Sequence, residues 1–88
     1  MMPQEPRTRT CEMTGSALGV TFWSVAVPGA SLWRFWIESS ESRSVGFSPI
    51  IITPHIFKSA EEALDAADLW CASTTPQRRL LERQWNGQ

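Results

Sequence analysis

The sequence predicts an α+β fold: an antiparallel sheet of three or four strands, followed by an amphipathic helix and a short C-terminal helix. Three observations carry this. Two β-branched and aromatic runs, 18–27 and 32–39, flank a Pro-Gly turn. A helix-start signature, Ser59-Ala60-Glu61-Glu62, then opens a stretch in which apolar residues recur at helical spacing. After a Thr-Thr-Pro interruption, Leu80, Leu81 and Trp85 form a second helical stripe.

The chain has 88 residues, a size that suits one domain. An apolar fraction of 42%, with five Trp and four Phe, supplies one core and argues against disorder through the middle of the chain. Residues 1–16 read as a flexible N-terminal arm, because Pro3, Pro6 and Gly15 interrupt any period. The domain is expected over 17–88.

Leu18 to Val27 carries no charge and is rich in strand formers. Alternation would put Leu18, Val20 and Phe22 on one face and Trp23, Val25 and Val27 on the other. Pro28-Gly29-Ala30-Ser31 follows as the turn, with proline presetting φ and glycine supplying a positive φ. The second strand, about 32–39, holds three aromatic rings that cannot share one face. Trp33, Phe35 and Ile37 point one way; Leu32, Arg34 and Trp36 point the other. A third strand is expected over 43–48, with Val45 and Phe47 on one face. Ile50-Ile51-Ile52 is a candidate short strand, ended by Thr53-Pro54.

The main helix is expected over 60–72. Ser59 would accept from the amide of Glu62, and Glu62 would reach back to the amide of Ser59. Ala60, Ala63, Leu64, Ala67 and Cys71 make its apolar face, and the small alanines allow close approach to a sheet. Glu61, Asp65 and Asp68 fall on the opposite side. Thr75 as cap and Pro76 at the first helical position would start a second helix over 77–85, ended by Asn86-Gly87. So short a helix is marginal alone in water and must dock on something.

The chain carries few residues in the patterns that catalysis uses. The one histidine, His55, lies between Pro54 and Ile56, and no Gly-x-Ser-x-Gly elbow accompanies it. A structural role is expected for it. Cys11, Cys71 and His55 show no paired metal-ligand spacing, so no metal and no cofactor are expected. No phosphate-binding glycine loop occurs. The carboxylates of the main helix read as a solvated face with a favourable first-turn dipole, whereas acid–base work needs a partly dry cleft. No catalytic residue is assigned, and a non-enzyme is expected. Two cysteines permit one disulfide; in a reducing compartment they are expected as thiols, with Cys71 a small buried side chain.

Recognition remains. Trp and Arg are enriched at binding hot spots, and Trp33, Arg34 and Trp36 lie together. The plain alternative is that two of the aromatics are core and Arg34 covers the third. Arg78, Arg79 and Arg83 share the last helix with a single acid, Glu82, while the main helix carries Glu61, Glu62, Asp65 and Asp68. The two helices could attract each other or present surfaces of opposite sign. The candidate partner-binding residues are therefore Arg34, Trp36, Glu61, Asp65, Asp68, Arg78, Arg79 and Arg83.

A formal net charge of −1 argues against nonspecific coating of nucleic acid. No apolar run is long enough to span a bilayer, and no secretory signal is read, so a cytoplasmic location is expected, as monomer or homodimer.

The phrase Phe57-x-Ser-Ala-Glu-Glu-Ala-x-x-Ala-Ala-Asp after aromatic strands resembles the three-strand-plus-helix DNA-binding domains of the plant ethylene-response and phage-integrase arm type. That likeness implies a sheet face in the major groove, with Arg34, Trp36 and Arg43 at the contacting positions. The family uses several basic residues in its sheet; this chain has two there. By size, mild acidity and lack of a catalytic set, the chain is also similar to small phage and mobile-element inhibitors of host defence, such as anti-CRISPR proteins. That likeness implies binding to a protein complex, with Glu61, Glu62, Asp65 and Asp68 standing in for phosphates. A non-enzymatic protein-binding module, of the mobile-element inhibitor kind, is the leading expectation. A DNA binder using the sheet face and a homodimeric structural protein are the alternatives.

Overall fold

The two aromatic runs pair, and everything else is arranged around them. The computed structural model of the chain describes residues 5–15, 19–41, 46 and 49–87. In order, its elements are β1 (Arg7–Cys11), β2 (Phe22–Pro28), β3 (Trp33–Ser39), β4 (Ile51–Ile52), α1 (Ala60–Ala72) and α2 (Thr75–Trp85). The strands form one antiparallel sheet in the order β1-β2-β3-β4. The α+β fold with helices after strands is as expected.

Two stretches differ from expectation. Part of the anticipated flexible arm, Arg7–Cys11, is strand β1, paired with β2 from Arg7 opposite Ala26 to Cys11 opposite Phe22. A polar segment forms this edge strand because β2 offers an open row of backbone groups and α1 offers acids to its arginines. The first long strand starts at Phe22, four residues after the expected Leu18. The strand expected over 43–48 lies outside the described residues, apart from Gly46, which sits in a bend at φ 118°.

Paired residues in an antiparallel ladder share a face. Arg9, Cys11, Phe22, Ser24, Ala26, Trp33, Phe35, Ile37 and Ile51 lie on one side. α1 packs there through Ala60, Ala63, Leu64, Ala67, Trp70 and Cys71, and these residues make the core with most of that face. Small residues meet across this contact: Ser24 and Ala26 of β2 are buried among the alanines of α1. The buried Ser24 hydroxyl donates to the Arg9 carbonyl at 2.8 Å, which satisfies it within the β1–β2 pair. Thr53 extends β4 by one residue. Its amide donates to the Phe35 carbonyl at 3.0 Å, and its hydroxyl accepts from the Phe35 amide at 3.1 Å.

The β2–β3 turn departs from the expected type. Gly29 is not among the residues of positive φ. It is small for a different reason: a Cβ there would fall 2.5 Å from Cδ2 of the His55 ring, which lies over the turn. The turn closes through the Gly29 amide donating to the Leu32 carbonyl at 2.7 Å.

α1 starts and ends at the expected residues. Ser59 Oγ accepts from the Glu62 amide at 3.1 Å, but the Glu62 carboxylate reaches one residue further back than expected, to the amide of Lys58 at 3.0 Å. α2 begins at Thr75 rather than Gln77, so Thr74 is its cap, with its amide donating to Gln77 Oε1 at 2.9 Å. α2 docks on the same side of the sheet as α1. Trp85 lies edge-on to Phe35 at 5.2 Å and to Phe57 at 6.1 Å between ring centroids.

Candidate functional site

α1 and α2 both lie on one side of the sheet, so neither covers the second face. Thr8, Thr10, Trp23, Val25, Val27, Arg34, Trp36, Glu38 and Ile52 belong to it by register. Val25 and Glu38 are buried, while Trp23, Val27, Arg34 and Trp36 are half-buried and Ile52 is exposed. Trp36 stands between Val25 and Ile52 in the ladder, so a continuous apolar row runs from β2 to β4. The Arg34 guanidinium lies over the Trp36 ring, 5.4 Å from its centroid. That is a cation–π distance. Among the described residues no carboxylate forms an ion pair with Arg34, and its buried Nε has no hydrogen-bond partner. The sequence-predicted pair Arg34 and Trp36 is thus brought together.

The predicted acidic cluster is also brought together, but β1 neutralises it. Arg9 donates to Asp68 at 2.6 Å, to Asp65 at 3.1 Å and to Glu61 at 3.2 Å, and Arg7 donates to Glu61 at 3.0 Å. The carboxylates of Asp68 and Asp65 raise the Arg9 pKa above its ordinary value. Two cations set among three anions leave little of the negative field that a phosphate mimic needs. Arg7 and Arg9 lie outside the candidate set that the sequence suggests. Their spacing of two, which places both on one strand face, is the signal that could have found them.

The three arginines of α2 separate. Arg78 turns inward: its Nε donates to the Trp70 carbonyl at 3.0 Å, and Nη2 donates to the carbonyls of Cys71 at 3.1 Å and Thr14 at 2.9 Å. α1 has no basic residue in its own last turn, so Arg78 supplies the positive charge that its C-terminus attracts. Arg79 and Arg83 are exposed. Beside them an open groove of about 400 Å³ runs between α1 and α2, flanked by Leu69 and Leu80, which are 54% and 64% exposed.

His55 is exposed in the loop after β4, over Gly29. Among the described residues no group of three or more His, Cys, Asp or Glu side chains is placed to hold a metal ion. No helix among them is long and apolar enough to cross a membrane. Compared with protein-family models, curated proteins and solved structures, the chain gives no significant match.

Proposed function

We propose that this chain is a non-enzymatic protein-binding module and that it engages its partner through the sheet face that neither α1 nor α2 covers. The observation that carries the reading is the juxtaposition of Arg34 with Trp36 in an apolar row that neither helix covers. Tryptophan and arginine are the side chains that most often dominate binding energy, because both bury large flat areas and keep a directed polar group. The complementary surface is an apolar protein patch with a carboxylate placed for the Arg34 guanidinium, which Trp36 already holds in position. A stoichiometric inhibitor of a host defence complex is a role that such a module would serve, since occlusion needs no catalytic group.

Protein is preferred over DNA because Arg34 shares the face with Glu38 and the row between the strands is apolar. Phosphate contacts require several cations on one surface.

The test compares the wild-type chain with Trp36→Ala and Arg34→Glu as bait in affinity capture from the cells that express it. Thermal melting of each variant is recorded alongside. The reading expects a captured protein that both variants lose while each stays folded at the capture temperature. Capture that survives both changes would overturn it. So would retention of wild-type chain on DNA that weakens steeply with salt, which would move the assignment to the DNA-binding alternative.

A further inference from the structure

Cys11 closes the edge strand β1, and Cys71 sits in the last turn of α1, 60 positions later. Their Sγ atoms stand 2.7 Å apart, inside hydrogen-bonding contact for sulfur, and both residues are free thiols. The pair is enclosed: Cys11 is 8% exposed and Cys71 1%. The backbone around it is tied down on both sides. The Thr14 amide donates to the Cys71 carbonyl at 2.8 Å, and the Thr14 hydroxyl donates to the Ala72 carbonyl at 3.1 Å. Arg78 bridges the carbonyls of Thr14 and Cys71, and Arg9 clamps the same strand to Asp65 and Asp68 of the same helix. Two thiols held in contact by flanking bonds need little rearrangement to reach disulfide geometry.

We propose that Cys11 and Cys71 are a redox latch, in which a low-molecular-weight disulfide such as oxidised glutathione converts the thiol pair into a cystine that staples β1 to α1. This rests on the thiol geometry and not on the partner-binding reading. Cys11 is the attacking sulfur. It lies on an edge strand and is the more accessible of the two, and the Cys71 thiol donating to it stabilises its thiolate and lowers its pKa. The Cys11 thiolate attacks one sulfur of the small disulfide, forming a mixed disulfide and releasing one small thiolate. Cys71 then gives up its proton and attacks the Cys11 sulfur, releasing the second. Two protein thiols are oxidised by two electrons, one small disulfide is reduced to two thiols, and the two protons pass to the released thiolates. The cystine closes most of the chain into a loop and keeps the edge of β2 covered, where an exposed strand edge invites unwanted pairing.

The experiment uses the full chain, reduced and then equilibrated over a series of oxidised-to-reduced glutathione ratios. Samples are acid-quenched, alkylated and weighed intact, with melting followed in parallel. The proposal expects a monomer lighter by two hydrogens that takes up no alkylating reagent, with a Tm raised by ~10 °C or more and restored by dithiothreitol. It also expects Cys71→Ala to accumulate one glutathione on Cys11, the trapped first step. Two alkylatable thiols at the most oxidising ratio would overturn the proposal, as would a disulfide-linked dimer or glutathione retained as the wild-type end product. The wild-type masses decide the matter even where the variant fails to fold.

Discussion

The Arg78 guanidinium lies 4.9 Å from the centroid of the Trp70 ring while its Nε donates to the Trp70 carbonyl at 3.0 Å. One side chain from α2 thereby packs on the side chain and caps the backbone of the same residue in α1. Three carbonyls, those of Trp70, Cys71 and Thr14, accept from this guanidinium. Arg78→Ala is expected to destabilise the fold by ~2–3 kcal/mol, from the loss of charge-assisted hydrogen bonds and the helix-end charge. Arg78→Lys should recover only part of this, since an ammonium cannot span three carbonyls in a plane. Urea unfolding of the two variants measures the difference, and equal losses would show that the fork geometry is immaterial.

The two faces of β3 should respond oppositely to truncation. Phe35 is fully buried between α1 and Trp85, so Phe35→Ala is expected to cost ~3–5 kcal/mol and to leave a largely unfolded chain. Arg34→Ala, one residue earlier on the other face, should stay within ~1 kcal/mol of wild type. Circular dichroism melts of both variants check this. A collapse of Arg34→Ala would mean that the face it occupies belongs to the core.

Thr53 offers a nearly isosteric test of a buried hydrogen bond. Thr53→Val keeps the volume and removes the acceptor of the Phe35 amide. A buried N–H without a partner costs ~1–3 kcal/mol, so the variant should melt lower despite its greater hydrophobicity. Hydrogen exchange at the Phe35 amide should accelerate with it. A Thr53→Val variant as stable as wild type would show that this hydroxyl is dispensable.

The Arg9 cluster should be weak and salt-sensitive. Its pairs are partly solvated, with Arg9 a third exposed and Asp65 mostly so, so Arg9→Gln is expected to cost only ~0.5–1.5 kcal/mol. Most of that difference should vanish in ~1 M salt, where the Debye length falls to ~3 Å. Melting both chains at low and high salt measures it. A penalty that persists undiminished at high salt would place the contribution of Arg9 in the packing of its aliphatic stem.

Local signals were legible in the chain wherever the physics is local. The Ser59 cap and the alanine period define α1 to the residue, because a cap is satisfied by an amide three positions away. Alternation sets Trp33, Phe35 and Ile37 on one face of β3 and Arg34 and Trp36 on the other, because strand side chains alternate whatever they pack on. That the first of these is the buried face is decided by where the helices dock. The pairing of Arg34 with Trp36 follows from the same alternation. The interior role of Arg78 was not legible, since α2 shows only a run of basic residues and the carbonyls they could reach are set by how the helices cross.

Sequence by itself therefore determined the α+β class, the β2–β3 hairpin and α1 in full. Tertiary structure alone decided three further things. Arg7–Cys11 has no apolar period to mark it; it becomes a strand because the edge of β2 needs hydrogen-bond partners and the acids of α1 hold its arginines. Cys11 and Cys71 meet because that strand lies against the end of that helix. The stripe of Leu81 and Trp85 was visible, but its destination was set by the link between the helices. Ser73 and Thr74 alone join α1 to α2, and Arg78 ties α2 back to the carbonyls of Trp70 and Cys71. α2 is thereby kept on the side of α1, and neither of these two helices covers the face of Arg34 and Trp36.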